Sequence, residues 1–280
     1  MTIAELHGKS PFNTSEDFLT AGVFTAFRYL PPEPGLVSFL CSVPGLGAKL
    51  PASGEVEARL HFWPLGALLR REPDLLIELK WHDRRIHVVV EAKYFAGPSD
   101  KTGSEFLLGD QTISIGRQLV DEFLDLQNGY YTVFRDGIRD CHIALDSKPG
   151  DRYLLYLTAH PVRPDAELTR ALSDHPEMLG SLHWTNWHHV LEHFQALRLS
   201  LTEFPYVQIL ADICLLLERK GFFTFHGFHP PVPIPRTNLD HVFWLDRRPG
   251  QRVFSGFARH PVLGLSNLTS VFWQARSNNE

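Results

Sequence analysis

The sequence predicts an α/β fold in which a largely buried sheet is covered by helices. Three observations support this prediction. Val88, Val89 and Val90 form an uninterrupted β-branched run, which is typical of a strand with both faces covered. Apolar residues recur at helical spacing before and after this run. Of the 280 residues, 44% are hydrophobic, which is enough for one large core, or for a core domain with a smaller extension.

The first predicted element is a helix that begins near Thr14 and ends before Pro31. A hydroxyl side chain can cap its start, and Glu16 and Asp17 lie in the first turn, where the helix dipole favours negative charge. Two consecutive prolines then stop the helix, because proline cannot continue its hydrogen bonding. Residues 33–54 are rich in glycine and proline, so we expect an irregular connection there.

Three strands are predicted next, followed by a helix and a fourth strand. Alternation, β-branched residues and a short polar turn place the three strands at residues 56–63, 74–81 and 85–92. A glycine- and serine-rich loop leads to a helix at 109–126, and the apolar run RYLLYLT predicts a strand at 152–158. Three further helices are expected at 164–172, 187–199 and 205–220. The order of the core is therefore helix, three strands, helix, strand.

The composition changes near residue 227, where the run HPPVPIP predicts a stiff connector. Short aromatic strands follow it, around Phe243 and Phe254. We therefore predict a main domain over residues 1–226 and a β-rich C-terminal extension over 227–280.

Charge and cysteine content exclude several classes of protein. The net charge of −5 argues against a protein that coats a polyanion, although it permits a local basic cleft. Three separated cysteines fit reduced thiols and provide no disulfide or zinc framework. The N-terminal residues lack the apolar segment of a secretion signal, and the most apolar later run is short and contains Asp212. We therefore expect a cytoplasmic protein that does not enter the membrane.

Charged residues lie at one end of two strands that are otherwise apolar. Asp74 begins the second strand, and Glu91 and Lys93 end the third. If these strands form an antiparallel hairpin, Asp74 lies beside Glu91, and the two carboxylates repel unless a positive charge separates them. A hard divalent cation such as Mg²⁺ takes oxygen ligands of this kind. These residues therefore predict a metal site suited to phosphodiester hydrolysis, with Lys93 as a fixed positive charge.

The residues Pro73-Asp74 and Glu91-Ala92-Lys93 resemble the motif of the PD-(D/E)xK nuclease superfamily. The resemblance covers residues 14–160, and more loosely extends to 225. It implies a restriction-endonuclease-like core in which Asp74 and Glu91 bind Mg²⁺, for which Mn²⁺ can substitute, and Lys93 assists the attacking water. The implied branches are bacterial, with roles in restriction, repair or phage defence.

The same resemblance implies further site residues, each with a simpler structural alternative. An acid from the first helix often joins the metal site, and Glu16 is that residue here, although it also fits helix capping. Glu57 could supply an acid from the preceding strand, or it could lie on the solvated side of that strand. Gln118 resembles a glutamine found in the helix after the motif, with Gln111 as a rival, and it could equally be a surface residue.

The resulting prediction is a Mg²⁺-dependent endonuclease or exonuclease that hydrolyses DNA. The alternative is a catalytically inactive nuclease-like module that binds DNA or serves as a scaffold in a larger complex. Arg70 and Arg71, just before Asp74, are predicted to contact phosphates. Because the chain is acidic overall, we expect a homodimer or a partner protein to complete the grip on DNA.

Overall fold

The computed structural model describes residues 16–51, 54–94, 108–135 and 138–223. The helices in these residues are α1 (Glu16–Tyr29), α2 (Ser38–Ser42), α3 (Leu108–Asn128), α4 (Asp165–Asp174), α5 (Trp187–Ser200) and α6 (Phe204–Arg219). The strands are β1 (Glu57–Phe62), β2 (Leu65–Gly66), β3 (Leu75–Lys80), β4 (Arg85–Lys93), β5 (Tyr130–Arg135), β6 (Ile138–Ala144), β7 (Arg152–Thr158) and β8 (Leu182–Asn186).

The main sheet has five strands in the order β1-β3-β4-β7-β8. The first three run antiparallel to their neighbours, whereas β4, β7 and β8 are parallel. A parallel pair needs a crossover connection, and α3 lies between β4 and β7 in the chain, as α4 does between β7 and β8. A small second sheet has the order β2-β5-β6. Its hairpin β5–β6 lies between α3 and β7 in the chain, whereas β2 lies between β1 and β3. The predicted α/β fold class is confirmed.

Both faces of the main sheet are covered, which explains the β-branched run in β4. Val88 and Val90 belong to the larger apolar core, which contains side chains of α1, α2, α5 and α6. Val89 points the other way, into a second core that includes side chains of α3 and α4. Successive side chains of a strand face opposite sides of the sheet, so a strand between two helical layers needs apolar residues at consecutive positions.

Several predicted elements lie close to the observed ones, and the strand at 152–158 has the predicted bounds. The prediction of an irregular connection over 33–54 was wrong at its start, where a π-helical turn (Glu33–Val37) leads into α2. Leu36, Phe39 and Leu40 are buried there, so apolar packing orders this segment despite its prolines. The hairpin β5–β6 and the strand β8 were not predicted. The predicted extension, 227–280, lies outside the described residues.

The C-terminal end of α3 is fixed by a buried arginine on β7. The guanidinium of Arg152 donates hydrogen bonds of 2.7–3.2 Å to four backbone carbonyls, those of Leu126, Gln127, Leu145 and Ser147. Gly129 ends the helix at φ +77, and a Cβ there would lie 2.5 Å from the Arg152 guanidinium. Because Gly129 has no Cβ, the guanidinium can approach the end of α3 and bind its last carbonyls. This contact fixes the position of α3 along the sheet, and α3 carries residues of the site described below.

No helix in the described part of the chain is long and apolar enough to cross a membrane. The three cysteines, Cys41, Cys141 and Cys214, are all free thiols.

Candidate metal centre

Three carboxylates meet at the end of the main sheet where β3 begins and β4 ends. Leu75 pairs with Val90, so Asp74, which directly precedes Leu75, lies next to Glu91. Glu16, the first residue of α1, reaches the same point. One carboxylate oxygen from each of Glu16, Asp74 and Glu91 lies within 4.8 Å of the others. The structure therefore brings together the acids of a first helix and two neighbouring strands.

Backbone and side-chain donors hold these carboxylates in place. Asp74 Oδ2 accepts a 2.7 Å hydrogen bond from the backbone N–H of Ala92. Glu16 Oε2 accepts one of 2.8 Å from the backbone N–H of Tyr94. Lys93 Nζ donates to Glu16 Oε1 at 3.2 Å and also contacts Glu91 Oε1. Two of the three acids are thus tied to backbone at the end of β4, and the lysine bridges two of them.

A glutamine and a further acid on α3 complete the group. Gln118 Nε2 donates to Glu91 Oε1 at 2.6 Å and to Glu122 Oε1 at 2.9 Å. Glu122 is 1% exposed, and its Oε2 has no hydrogen-bond partner among the described residues. Glu122 was not predicted from the sequence. Its spacing of four from Gln118 is the signal that could have identified it, since such residues share a helix face.

The acids are buried close to one another, and this environment disfavours their ionised forms. Burial, together with the charge of Glu91, raises the pKa of Asp74 to about 8. Burial also raises the pKa of Glu16, although Lys93 and the Tyr94 N–H partly oppose the shift. Burial and the nearby Glu91 raise the pKa of Glu122 well above its ordinary value. If all its acids were ionised, the group would carry more negative charge than its own donors compensate.

Lys93 is the positive charge within the group. Burial alone would lower its pKa, but the charges of Glu91 and Glu16 outweigh burial and raise it above the ordinary value of a lysine. Lys93 is therefore protonated at neutral pH. It can orient a water molecule or stabilise negative charge.

Glu57 does not belong to this group, so the prediction that it binds the metal was wrong. It lies at the far end of β1, where it pairs with Lys80 at 3.0 Å and is exposed. The other end of the strand, Phe62, pairs with Leu75 beside Asp74. Five residues of extended strand separate Glu57 from that end, which is a distance of about 17 Å. The alternation in β1 thus reflects a solvated face.

The two arginines before Asp74 have different environments. Arg71 is engaged with Asp121 on α3, through a 2.9 Å hydrogen bond from Nε. Arg70 is exposed and has a left-handed backbone, with φ +59. The neighbouring backbone is held by Asp125, which accepts hydrogen bonds from the N–H groups of Leu68, Leu69 and Arg71 at 2.8–3.2 Å. Of these two arginines, only Arg71 has a partner for its guanidinium among the described residues.

A second group of ionisable residues, His61, Glu78 and His87, lies on the adjacent strands β1, β3 and β4. Burial of Glu78 would raise its pKa, but contacts with His61 and His87 outweigh burial and lower the pKa to about 2. The nearest approaches to the carboxylate are 3.1 Å from His61 Nε2 and 3.8 Å from His87 Nε2. His87 Nδ1 also lies 2.7 Å from Ser147 Oγ. This group contrasts with the metal centre, where burial raises the pKa values of Asp74, Glu16 and Glu122.

No protein-family profile, no curated protein and no solved structure matches this chain. The function is therefore inferred from the geometry of the residues themselves.

Proposed function

We propose that this protein is a metal-dependent nuclease with a restriction-endonuclease-like core, and that it hydrolyses phosphodiester bonds of DNA. One observation carries the proposal: Glu16, Asp74 and Glu91 converge within 4.8 Å, and Lys93 contacts two of them. The element order around them supports it, because a helix, three antiparallel strands, a helix and a parallel strand lie in the order that the resemblance implies.

The residues present fit a Mg²⁺ ion. All three convergent ligands are carboxylates, and Mg²⁺ takes oxygen ligands and commonly uses one or two carboxylates together with substrate phosphate. The raised pKa values of Asp74 and Glu16 fit a group that a cation would relieve. Glu122 adds a buried oxygen without a described partner beside Glu91. A bound Mg²⁺ would lower the pKa of a water molecule and neutralise charge that develops at phosphorus.

The chain's own residues contribute orientation and charge. Asp74 and Glu91 are held by the Ala92 N–H and by Gln118, so their oxygens have little freedom. Lys93 keeps its proton, and its ammonium can therefore hold the attacking water or stabilise the charged transition state, where a fixed charge in a dry site is most effective. Restrained acids and a fixed cation are what a hydrolytic site requires.

The test uses the full-length protein with supercoiled plasmid, linear duplex and single-stranded DNA, in Mg²⁺, Mn²⁺ or EDTA. We expect cleavage of at least one substrate with either metal and none in EDTA. Asp74→Asn should lose cleavage, whereas Asp165→Asn, which changes an exposed acid of α4, should cleave as wild type does. Binding of DNA without cleavage under every metal condition would refute the enzyme and support the nuclease-like binding module.

A direct structural test places Mn²⁺ in crystals of the protein. An anomalous peak coordinated only by oxygen, between Asp74 and Glu91, is the expected result. Bound Mn²⁺ elsewhere with none between these carboxylates would refute the metal centre.

A further inference from the structure

An open groove runs along the outer edge of β1, between α1 and the hairpin β5–β6. Its volume is about 1040 Å³. Ala21, Thr25 and Arg28 line one side and share one face of α1, since they are spaced by four and three residues. Among the described residues, no strand pairs with the outer edge of β1, which is the first strand of its sheet. The volume lies at the upper end of the range of small-molecule sites, which are about 300–1,000 Å³.

The lining combines arginines with aromatic rings. The arginines are Arg28, Arg59 and Arg135, and the aromatic residues are Phe62, Trp63 and Phe134. Trp63 is 43% exposed and Phe134 is 59% exposed, so both rings present surface to solvent. Large apolar side chains left in contact with water beside positive charge are typical of a surface that binds a ligand with flat rings and anionic groups.

One end of the groove adjoins the metal centre. The backbone N–H of Trp63 donates a 3.0 Å hydrogen bond to the backbone carbonyl of Asp74. Glu72, another lining residue, lies two positions before Asp74 in the chain. Along α1, the groove extends to Arg28, twelve residues beyond Glu16, which corresponds to about 18 Å of helix. A polymer lying in the groove would thus reach the carboxylates at one end.

The backbone at Trp63 is unusual for a bulky residue. Its φ of +49 is in the left-handed region, which is rare for residues other than glycine and unfavourable for a bulky side chain. The adjacent β1 ends at Phe62, so this conformation turns the chain away from the sheet directly beside Asp74. Strain retained at a position that also exposes an indole ring is an independent indication of a binding function.

We infer that this groove binds a single-stranded segment of nucleic acid and leads it to the metal centre. The inference rests on the proposed function and specifies the substrate of the same site. Unpaired bases stack on Trp63 and Phe134, while the arginines contact phosphates. Stacking on aromatic side chains requires bases that are not paired in a duplex, and the aromatic groove with positive charge is the usual design for single strands.

The charge of the groove favours a single strand over a duplex. Three arginines in the lining are accompanied by two acids, Glu72 and Asp140. Duplex binding depends chiefly on many contacts to phosphate, and this chain has a net charge of −5. A peptide strand that adds to the edge of β1 is the competing occupant. It would use the backbone of β1 and would have no need of the arginines or of the adjoining carboxylates.

The experiment measures binding of short fluorescent oligonucleotides to the full-length protein in EDTA, by anisotropy. The groove variant combines Arg59→Glu with Phe134→Ala. A matched control combines Arg163→Glu with Leu199→Ala, which change an exposed charge and an exposed apolar residue away from the groove. We expect tighter binding of a single strand than of the same sequence as a duplex, and a loss of about tenfold or more in the groove variant only.

A second variant, Arg28→Glu, tests the opposite wall on α1 and should weaken binding of the single strand in the same direction. Circular dichroism and thermal unfolding establish that each variant is folded. Equal binding of single strand and duplex, or groove variants that bind like wild type, would overturn the inference. Competition by an uncharged peptide with no effect of the two charge reversals would assign the groove to a peptide strand instead.

Hydrolysis of bis(p-nitrophenyl) phosphate with Mn²⁺ separates this inference from the proposed function, because so small a diester does not need the groove. Wild type and groove variant should hydrolyse it equally. If the protein hydrolyses the diester with metal but the groove variants bind the single strand as wild type does, the nuclease proposal is supported and the groove inference is refuted. If the variants lose strand binding but the protein hydrolyses no diester, the groove inference is supported and the nuclease proposal is refuted.

Discussion

Replacing Asp74 by asparagine should reduce the pH dependence of stability in the metal-free protein. The pKa of Asp74 is about 8 in the folded protein, against an ordinary value of 3.8. Between these values the folded carboxyl holds a proton that the unfolded chain has released. The folded state therefore binds more protons, and the free energy of unfolding falls as the pH rises through this window.

The size of the effect follows from one proton per molecule. Asp74 is 6% exposed, so solvent screens it little. A difference of one bound proton changes the free energy of unfolding by about 1.4 kcal/mol per pH unit, which gives at most about 2.7 kcal/mol between about pH 5.5 and 7.5. Asparagine retains an oxygen that can accept the Ala92 N–H, so the local hydrogen bond survives. Glu16 and Glu122 have raised pKa values as well, so a weaker slope of the same sign should remain.

Urea unfolding at three pH values in EDTA measures these slopes, with Asp165→Asn as the control for loss of an exposed carboxylate. Wild type and control should lose stability in parallel as the pH rises, while Asp74→Asn loses less. Millimolar Mg²⁺ should stabilise wild type, and more so at higher pH, because the ion competes with the proton for the carboxylate. Equal slopes in wild type and Asp74→Asn would refute the conclusion that Asp74 is a buried carboxyl with a raised pKa.

Three further predictions concern Lys93, Gln118 and Arg152. Lys93→Ala should retain Mg²⁺ binding yet cleave about 100-fold more slowly in single-turnover assays, since a fixed charge acts mainly in the transition state. A wild-type cleavage rate in this variant would show that the lysine takes no part in the reaction. Gln118→Ala should weaken metal binding or cleavage by about 10–100-fold, because the loss of this hydrogen-bond donor frees Glu91 to move. Metal titration and single-turnover rates measure the effect, and Gln127→Ala, on the same helix, is the control. Arg152→Ala should lower the free energy of unfolding by about 3 kcal/mol or more in urea titrations, because buried carbonyls lose their donor, and a loss below about 1 kcal/mol would contradict that role.

Much of the fold was accessible from the sequence, because its signals are local. The β-branched run identified β4, and the short turn between two strands fixed the hairpin that places Asp74 beside Glu91. The hairpin β5–β6 gave a weaker signal, since exposed aromatic residues such as Tyr130 and Phe134 obscure its alternation. The error over Glu57 has a similar origin. An alternating strand shows which residues share a face, but it does not show which end of the strand meets the site.

The candidate site was less accessible, because part of it depends on where a helix lies along the sheet. Glu16 could be proposed only through the resemblance, since an acid in a first helical turn is equally explained by capping. Glu122 shares a helix face with Gln118, but this spacing does not show that its carboxyl is buried near Glu91. That contact depends on the position of α3, which is fixed at its far end by Arg152.

Residues on a single face of α3 explain how the acids at the end of the sheet stay close together despite their mutual repulsion. Gln118, Asp121, Glu122 and Asp125 are spaced by three, one and three residues, so they lie along one side of the helix. The first and third contact each other and the end of β4, whereas Asp121 and Asp125 hold residues 68–71, which lead into Asp74. The helix thus anchors the segments that carry both strand acids. Because these anchors oppose separation of the carboxylates, burial and the nearby charge of Glu91 raise the pKa values of Asp74 and Glu122, and a divalent cation is the ligand that relieves the repulsion.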